Sequence, residues 1–337
     1  MKKSLLALAV LGAFAGAASA QSSVTVFGLV DLAIAKSNGG TANNPASTGF
    51  NGGVKAWQVA QSAENRLGFR GNEDLGGGLS AQFNFEHRFF LDTGAVRNAN
   101  SFWQGRSYVQ LSSATLGRVY LGRDYDPTFW PAVKSDPFGW DGVGQLGGNM
   151  FAGALNSDIT ANSVRESNTV GYKSNSFSGL TFQAAVSLSE ANNTGRNDGF
   201  NVEYAAGPIY AAMGYERIRG GVVKDGQSLL NLALHYDFGV AKLMGYYARA
   251  KVGPSGNANL TNKYFSLGAL APIGGGNLKA AWSRFDPSGA NNNISKYSIG
   301  YEYFLSKRTD IYADFGSGHQ DAKTNNNAFA VGVKHTF

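Results

Sequence analysis

Leu180–Ser189 alternates without a break: Leu180, Phe182, Ala184, Val186 and Leu188 fall on one side, Thr181, Gln183, Ala185, Ser187 and Ser189 on the other. A period of two puts successive side chains on opposite faces of a strand. The same alternation returns along almost the whole chain, and no other feature limits the fold so tightly. Leu230–Phe238 sets Leu232, Leu234 and Tyr236 against Asn231, Ala233, His235 and Asp237. Leu79–Phe89 sets Phe83, Phe85, His87 and Phe89 against Gln82, Asn84, Glu86 and Arg88. Sixteen strands are expected, at 22–35, 58–71, 79–89, 103–111, 117–125, 168–173, 180–189, 199–206, 209–218, 228–238, 241–252, 262–271, 277–285, 294–305, 309–317 and 327–337. Their mean length of about ten residues suits a tilted crossing of a bilayer, whereas strands of soluble sheets average about five or six.

The connections alternate as well. Short ones include Gly76–Gly78, Ala206–Pro208, Phe238–Val240, Gly274–Gly276 and Ser306–Arg308; long polar ones include Ser37–Ala56, Leu91–Asn100, Ala191–Asp198 and Gly318–Asn326. Short turns at one rim, long loops at the other and an even strand number describe an outer-membrane barrel. In hydrocarbon every backbone N–H and C=O must be paired, so open sheet edges are excluded and the sheet has to close. Prolines cannot donate to a ladder, and all are expected in loops or turns. Tyr204, Tyr236, Phe238, Tyr301 and Phe337 stand at strand ends, where an interfacial girdle would lie. No apolar run after Ala20 reaches the ~18 residues of a spanning helix. The expected fold is all-β: a 16-stranded antiparallel transmembrane β-barrel.

Residues 1–20 read as an export signal that is cleaved. Lys2 and Lys3 form its basic start, Leu5–Ala15 its apolar core and Ala18-Ser19-Ala20 its small-residue cleavage site. Residues 21–337 would then form a single barrel domain. The chain contains no cysteine, which excludes disulfide and thiolate chemistry. Removing Lys2 and Lys3 from the 29 basic residues leaves 27 against 23 acidic ones, scattered along the chain, so no nucleic-acid surface is expected.

Asp124–Arg165 departs from the pattern. It carries three of the eight prolines (Pro127, Pro131, Pro137) and a cluster of glycines at Gly139, Gly142, Gly144, Gly147 and Gly148. A structureless segment this long inside a compact domain is uncommon unless it is functional. The expectation is a long third loop, about 126–165, folded into the barrel lumen and setting the size of the hole.

SSVTVFGLVD, NRLGFRGNEDLGGGLSAQFNFE, GRSYVQLSSATLGRVYLGRDYD, NTVGYKS and the terminal AVGVKHTF resemble the general porins of β-proteobacteria, over essentially the whole mature chain. The resemblance implies a homotrimer of sixteen-stranded barrels in a Gram-negative outer membrane, in contact with lipid and lipopolysaccharide. It implies passive diffusion of small hydrophilic solutes and ions, with no cofactor. In such porins a wall cluster of arginines faces acids and carbonyls of the loop; the matching positions are Arg66, Arg106 and Arg165. Asp136-Pro137-Phe138-Gly139 is similar to the family's loop tip, with the acid in a different order.

Parity offers a separate test. Arg66 and Arg70 share the face opposite Leu67 and Phe69, and Arg106 opposes Ser107 and Val109. Arg165 is in phase with Thr169 and Gly171, provided no bulge intervenes. A charge on the lipid face near mid-membrane costs about 2–4 kcal/mol, so these arginines belong in the lumen. Arg123 shares phase with Val119 and Leu121, and parity counts against it. The opposing acids are expected to be Glu86 on the wall and Asp126, Asp136, Asp141, Asp158 and Glu166 in or beside the loop. Arginines in a narrow throat concentrate anions, which predicts a modest anion preference that the loop acids would offset. The alternative is a channel selective for small anions or organic acids, lined by Phe129, Trp130, Phe138 and Trp140. Gly28 and Ala33 are read as outward-facing small residues that permit close packing of subunits.

Other chemistries lack their context. Gly142–Gly147 matches G-x-G-x-x-G but has no strand before it and no helix after it. His87, His235, His319 and His335 are too far apart for metal-ligand spacing. A barrel-wall lipase would need a Ser and a His placed together, and no serine near the outward His87 or His335 is singled out, so no enzyme is expected.

Overall fold

In the computed structural model, which describes residues 23–44, 49–153, 164–189, 195–220, 225–253, 260–288 and 292–337, the alternating segments pair into one closed antiparallel sheet. The export signal lies outside the described residues. The strands are β1 (Ser23–Ser37), β2 (Trp57–Ala60), β3 (Arg66–Gly76), β4 (Leu79–Arg88), β5 (Arg106–Ser113) and β6 (Gly117–Tyr125). Then follow β7 (Arg165–Lys173), β8 (Leu180–Ser187), β9 (Arg196–Ala206), β10 (Ile209–Arg219), β11 (Ser228–Asp237) and β12 (Lys242–Val252). β13 (Leu260–Ile273), β14 (Gly276–Asp286), β15 (Ile294–Phe304), β16 (Thr309–Gln320) and β17 (Asn326–Thr336) complete the ring. β1 pairs with β17 along one edge and with β2 and β3, end to end, along the other, so seventeen segments make sixteen staves.

The expected strand 58–71 is thus broken in the middle. Residues 61–65 stand opposite only Val30, Asp31 and Leu32. Buried polar groups hold the break: Ser62 N and Tyr312 OH donate to Asp31 Oδ1 at 2.9 and 2.6 Å, and Asp31 N donates to Asn65 Oδ1. Elsewhere the differences are small. β3 runs past the expected strand end at Gly71 as far as Gly76, and Gly76, Gly77 and Gly78, all at positive φ, turn the chain tightly into β4. Pro272 sits within β13, opposite Asn277, rather than in a connection; it is one residue from the strand end, where ladder bonds are lost at least cost.

Polarity is inverted relative to a soluble protein. Val109, Leu111, Val119, Leu121, Leu232, Leu234, Leu267, Ile299, Val331 and Val333 are exposed on the outer face. Gln110, Gln183, Asn201, Glu216, Asn231 and Lys296 are buried inside. Tyr204, Tyr236, Phe238, Tyr303, Phe304 and Phe337 are exposed at the short-turn ends of their staves.

The seam is closed by the chain's last residue. Phe337 N donates to Gly28 O and Gly28 N to Phe337 O, at 3.1 and 3.0 Å. The Phe337 ring covers Gly28 so closely that a Cβ there would come within 2.3 Å of Cζ. Gly28 is therefore under an aromatic ring, and Ala33 faces inward, buried with Val143 and Tyr312; neither offers the outward surface expected of it.

The segment after β6 turns into the barrel and is less irregular than its sequence suggests. It contains α1 (Phe129–Lys134) and α2 (Gly147–Met150). Phe129, Ala132, Leu146, Met150, Phe151 and Ala152 pack against Ala212, Leu229, Ala233, Tyr246, Ala248, Ala250, Tyr264 and Ala281 of the inner wall. On the far side Val143 packs on Ala33, Ala35, Ala328 and Ala330. Each large apolar side chain buried this way is worth about 1.5–3 kcal/mol, against about 0.5–1.5 for a net hydrogen bond. Apolar contact therefore seats the loop, and polar contacts orient it: Asn201 Nδ2 donates to Pro127 O (2.7 Å), Asn231 Nδ2 to Thr128 O (2.8 Å) and Tyr246 OH to Met150 O (3.0 Å).

Replacing Phe337 by Ala removes the ring from the seam and leaves its backbone bonds. Since the ring is only half covered, the loss should be about 1 kcal/mol, seen as a lower temperature for unfolding of the heat-resistant band on gels; an unchanged temperature would mean the ring does not hold the seam.

Candidate functional site

The loop covers the inner faces of β10–β14 and of β1, β16 and β17. Where it does not press, the wall carries long polar side chains instead of alanine. These come from β3–β7, and their centre is Tyr125, the last residue before the loop. Its ring stacks on Phe129 at 4.1 Å, and the Arg165 guanidinium lies over it at 4.2 Å. Arg165 Nη2 and Arg88 Nη2 donate to its hydroxyl at 2.6 and 3.2 Å. Tyr125 thus ties the root of the loop to the charged wall.

Two linked charge groups surround it. Arg88 Nη2 donates to Glu86 Oε1 at 2.6 Å, and its Nη1 lies 3.5 Å from Glu64 Oε2. Arg97 and Arg165 approach the same Glu64 at 3.6 and 4.0 Å. Arg106 grips Asp124 with Nε–H and Nη2–H, at 2.7 and 3.1 Å, and Lys173 Nζ donates to Asp124 Oδ2 at 2.7 Å. The Arg106 fork is bidentate, the strongest form of charge-assisted pairing. Arg66 acts electrostatically on both Glu64 and Glu86. Six cations (Arg66, Arg88, Arg97, Arg106, Arg165, Lys173) therefore surround three carboxylates (Glu64, Glu86, Asp124), which leaves a strong positive excess.

Sequence reasoning and structure meet here in part. Arg66, Arg106, Arg165 and Glu86 come together. Arg165 does so by another route than parity, because Asn168 takes a positive φ of 58° and the β6–β7 register slips by one residue at that point. Arg70 lies on the inner face but apart from the cluster, over the Phe27 ring at 5.3 Å. Arg123 donates to Gln104 O and Ser167 Oγ, both at 2.9 Å. Arg88, Asp124, Lys173, Tyr125 and Glu64 were missed. Arg88 shares the phase of Glu86, and Lys173 that of Thr169 and Gly171, so alternation alone could have found both. Glu64 lies in the break in the second stave, and no local pattern marks it.

The loop acids divide three ways. Asp136 is a structural pin: its carboxylate accepts from Phe138 N (3.0 Å), Trp140 N (3.1 Å) and Leu146 N (2.9 Å). Burial raises its pKa, and those three bonds counteract the rise only in part. Asp126 is buried beside Glu166 and Glu216; burial first, then those neighbours, push its carboxyl well above the ordinary range. Asp141 differs from both: burial pushes its carboxyl up to about 7, against the opposing charges of Lys334, Arg66 and Lys279. Asp158 lies outside the described residues. Phe129 and Phe138 are buried in the loop's packing, with Trp130 and Trp140 against them, and do not form an aromatic row along a passage.

A closed sixteen-stave barrel with an apolar exterior, a charged interior and a loop folded inside it defines a water-filled channel through an outer membrane. The sequence matches the Gram-negative porin family over residues 7–323. It is 36% identical over 339 residues to outer membrane porin protein 32 of Delftia acidovorans, covering 96% of this chain and 92% of that one. An outer membrane porin of Bordetella pertussis is 32% identical over 398 residues, with both chains fully covered. Among solved structures, an anion-selective porin from Comamonas acidovorans superposes with a TM-score of 0.78 at 28% identity, over 94% of this chain and all of that one. The chain belongs to the Gram-negative porin family: it is an integral outer-membrane protein that lets small hydrophilic solutes diffuse passively, and the family's members are channels rather than enzymes.

Replacing Arg88 by Met strands Glu86 in a buried site. The expected loss is about 3 kcal/mol of stability, the lower end for a broken buried pair because other arginines remain near Glu86. Arg70→Met, at an exposed position, should cost under about 1 kcal/mol. Denaturant unfolding in detergent micelles measures both; equal losses would refute the ranking.

Proposed function

We propose that this porin is a homotrimeric general-diffusion channel with a modest preference for anions. Its constriction would lie between loop 126–165 and the wall that carries Arg66, Arg88, Arg106 and Arg165, with Glu86 and Asp141 as the acids that temper the field. The observation that carries the reading is the excess of six cations over three carboxylates around Tyr125. In a narrow, low-dielectric throat that excess raises the local anion concentration. The anion selectivity of the similar Comamonas porin agrees with it. Trimerisation, and contact with lipid and lipopolysaccharide around the apolar belt, are part of the same proposal. Asp126 and Asp136 would serve the loop's seating rather than the ion path, and Arg70 would act as a secondary charge away from the narrowest point.

The proposal requires opposite signs from the two halves of one ion pair. Arg106→Gln should shift the reversal potential in a salt gradient toward cations, and Asp124→Asn should shift it further toward anions. Shifts of the same sign, or none, would remove this pair from the filter. The pH dependence follows from Asp141. Its carboxylate is charged above about 7 and neutral below, so lowering pH through 7 removes a negative charge and should strengthen anion preference. Asp141→Asn should abolish that step; a step that survives would belong to another group.

Gly316 tests the loop's role. A Cβ there would lie 2.1 Å from Val143 O, and backbone cannot yield as a flexible side chain can. Gly316→Val should therefore push the loop tip off the wall and change single-channel conductance while the barrel still folds. Unaltered conductance would separate the loop from the limiting aperture.

A further inference from the structure

The outer face is not uncharged throughout. At their long-loop ends, adjacent staves between β9 and β14 carry exposed cations just beyond the apolar belt. Arg217 on β10 has the phase of the outward Met213. Arg249 and Lys251 on β12 have that of Leu243, and Lys263 on β13 that of Phe265 and Leu267. At this level the intervening β11 presents only Ser228 and Leu230. Long loops of bacterial outer-membrane barrels lie at the cell exterior, so the patch stands at the height of the outer-leaflet headgroups.

The sheet register sets these charges side by side. Arg249 stands directly opposite Lys263, and like charges so placed repel. Ser228 stands opposite both Arg217 and Lys251, which leaves a gap over a small residue flanked by two cations. Neighbouring strands lie about 4.8 Å apart, so the four charges fall within ~15 Å across the strands. The nearby acids do not offset them. Arg196 and Arg219 both lie 2.8 Å from Asp198 and share its charge. Asp286 is opposite Lys263 in register, with Arg284 two residues away on the same face. Among the described residues, no carboxylate forms an ion pair with Arg217, Arg249, Lys251 or Lys263. Counting Arg196, Arg219 and Arg284 with these four, seven cations meet two carboxylates. By contrast, the outward Lys36 lies over the Trp57 ring at 4.9 Å, and Arg123 donates to Gln104 O and Ser167 Oγ.

We propose that this arc of β10–β13 binds the phosphorylated headgroup of an outer-leaflet glycolipid, lipopolysaccharide, whose acyl chains run down the apolar positions beneath it. Phosphate supplies the missing negative charge and accepts the planar forks of Arg217 and Arg249 in paired hydrogen bonds. One step toward the belt, Leu232, Tyr247 and Phe265 form the next cross-strand row, with Leu243 and Leu267 exposed beyond it. A soluble anion would meet the charge and leave that apolar row unused. An uncharged headgroup would leave the Arg249–Lys263 repulsion unrelieved. A subunit interface would bury four cations that have no acid of their own, at a high desolvation cost. The inference rests on the proposed contact between barrel and lipopolysaccharide, and names the part of the wall that makes it.

The test measures binding of a fluorescent lipopolysaccharide with two phosphates and a truncated sugar core to the intact porin in detergent, by thermophoresis. Each basic residue at a charged membrane surface is worth about fivefold in affinity. Arg249→Gln combined with Lys263→Gln should therefore weaken binding about twentyfold, and Arg217→Gln combined with Lys251→Gln should do the same. The dephosphorylated glycolipid should bind the unaltered porin about as weakly as the intact one binds these variants. Lys36→Gln, on another arc of the outer face, should change nothing. All these side chains point away from the lumen, so the reversal potential in a salt gradient should stay at its original value; a shift would mean that they act on the pore instead. If the unaltered porin binds no lipopolysaccharide, this proposal and the lipid contact on which it rests both fail. If it binds but the double variants bind equally well, or removal of the phosphates has no effect, the placement on this arc alone is overturned. Variants that bind normally but no longer run as trimers on gels would make the arc a subunit interface and overturn the proposal likewise.

Discussion

An unpaired backbone N–H or C=O in hydrocarbon costs several kcal/mol, and that penalty governs the architecture. It forces the ladder between β1 and β17 to close, and the Phe337–Gly28 pair completes that closure. It also frees the outer wall from any need for charge. Side chains outside are chosen for lipid and those inside for water or for the loop, so a period of two runs along the staves, interrupted in the second at residues 61–65 and in β7 at Asn168. The polarity of the two faces is a consequence of closure in lipid, not an independent property.

Inside, the division of the wall by side-chain size does the functional arranging. Inward alanines at 33, 35, 212, 233, 248, 250, 281, 328 and 330 leave room for the loop over one arc. Arginine, lysine and glutamine fill the remainder. The loop therefore has one seat, and the charged arc is the part of the wall it leaves uncovered. Tyr125 is the joint between the two: stacked on Phe129 of the loop and bonded by Arg88 and Arg165 of the wall. Anything that moves the loop root moves the arginines as well.

The staves were legible because hydrophobic alternation is a local signal. Leu180–Ser187 and Ser228–Asp237 lie where their period placed them. Parity alone put Arg66, Arg106 and Glu86 inside. Two features escaped for the same reason, namely that both are fixed by tertiary contacts. The break at residues 61–65 is held by Asp31, which donates its N–H to Asn65 and accepts from Ser62 N and from Tyr312 OH on a distant strand. The slip at Asn168 needed a left-handed residue that is not glycine. Arg88 and Lys173 differ, since each shares the phase of inward neighbours and is readable from alternation alone. The inward alanines held the loop's position in plain view, but a small residue on a polar face is ambiguous until its neighbour across the lumen is known.

The account stands or falls on the field inside the unaltered pore. The direct measurement is the reversal potential of the purified trimer in a planar bilayer under a tenfold potassium chloride gradient, recorded at single-channel resolution. Current steps in groups of three, with a reversal potential on the chloride side of zero, are the predicted result. A reversal potential on the potassium side would contradict it, since the cation excess around Tyr125 would then not control the permeating ions.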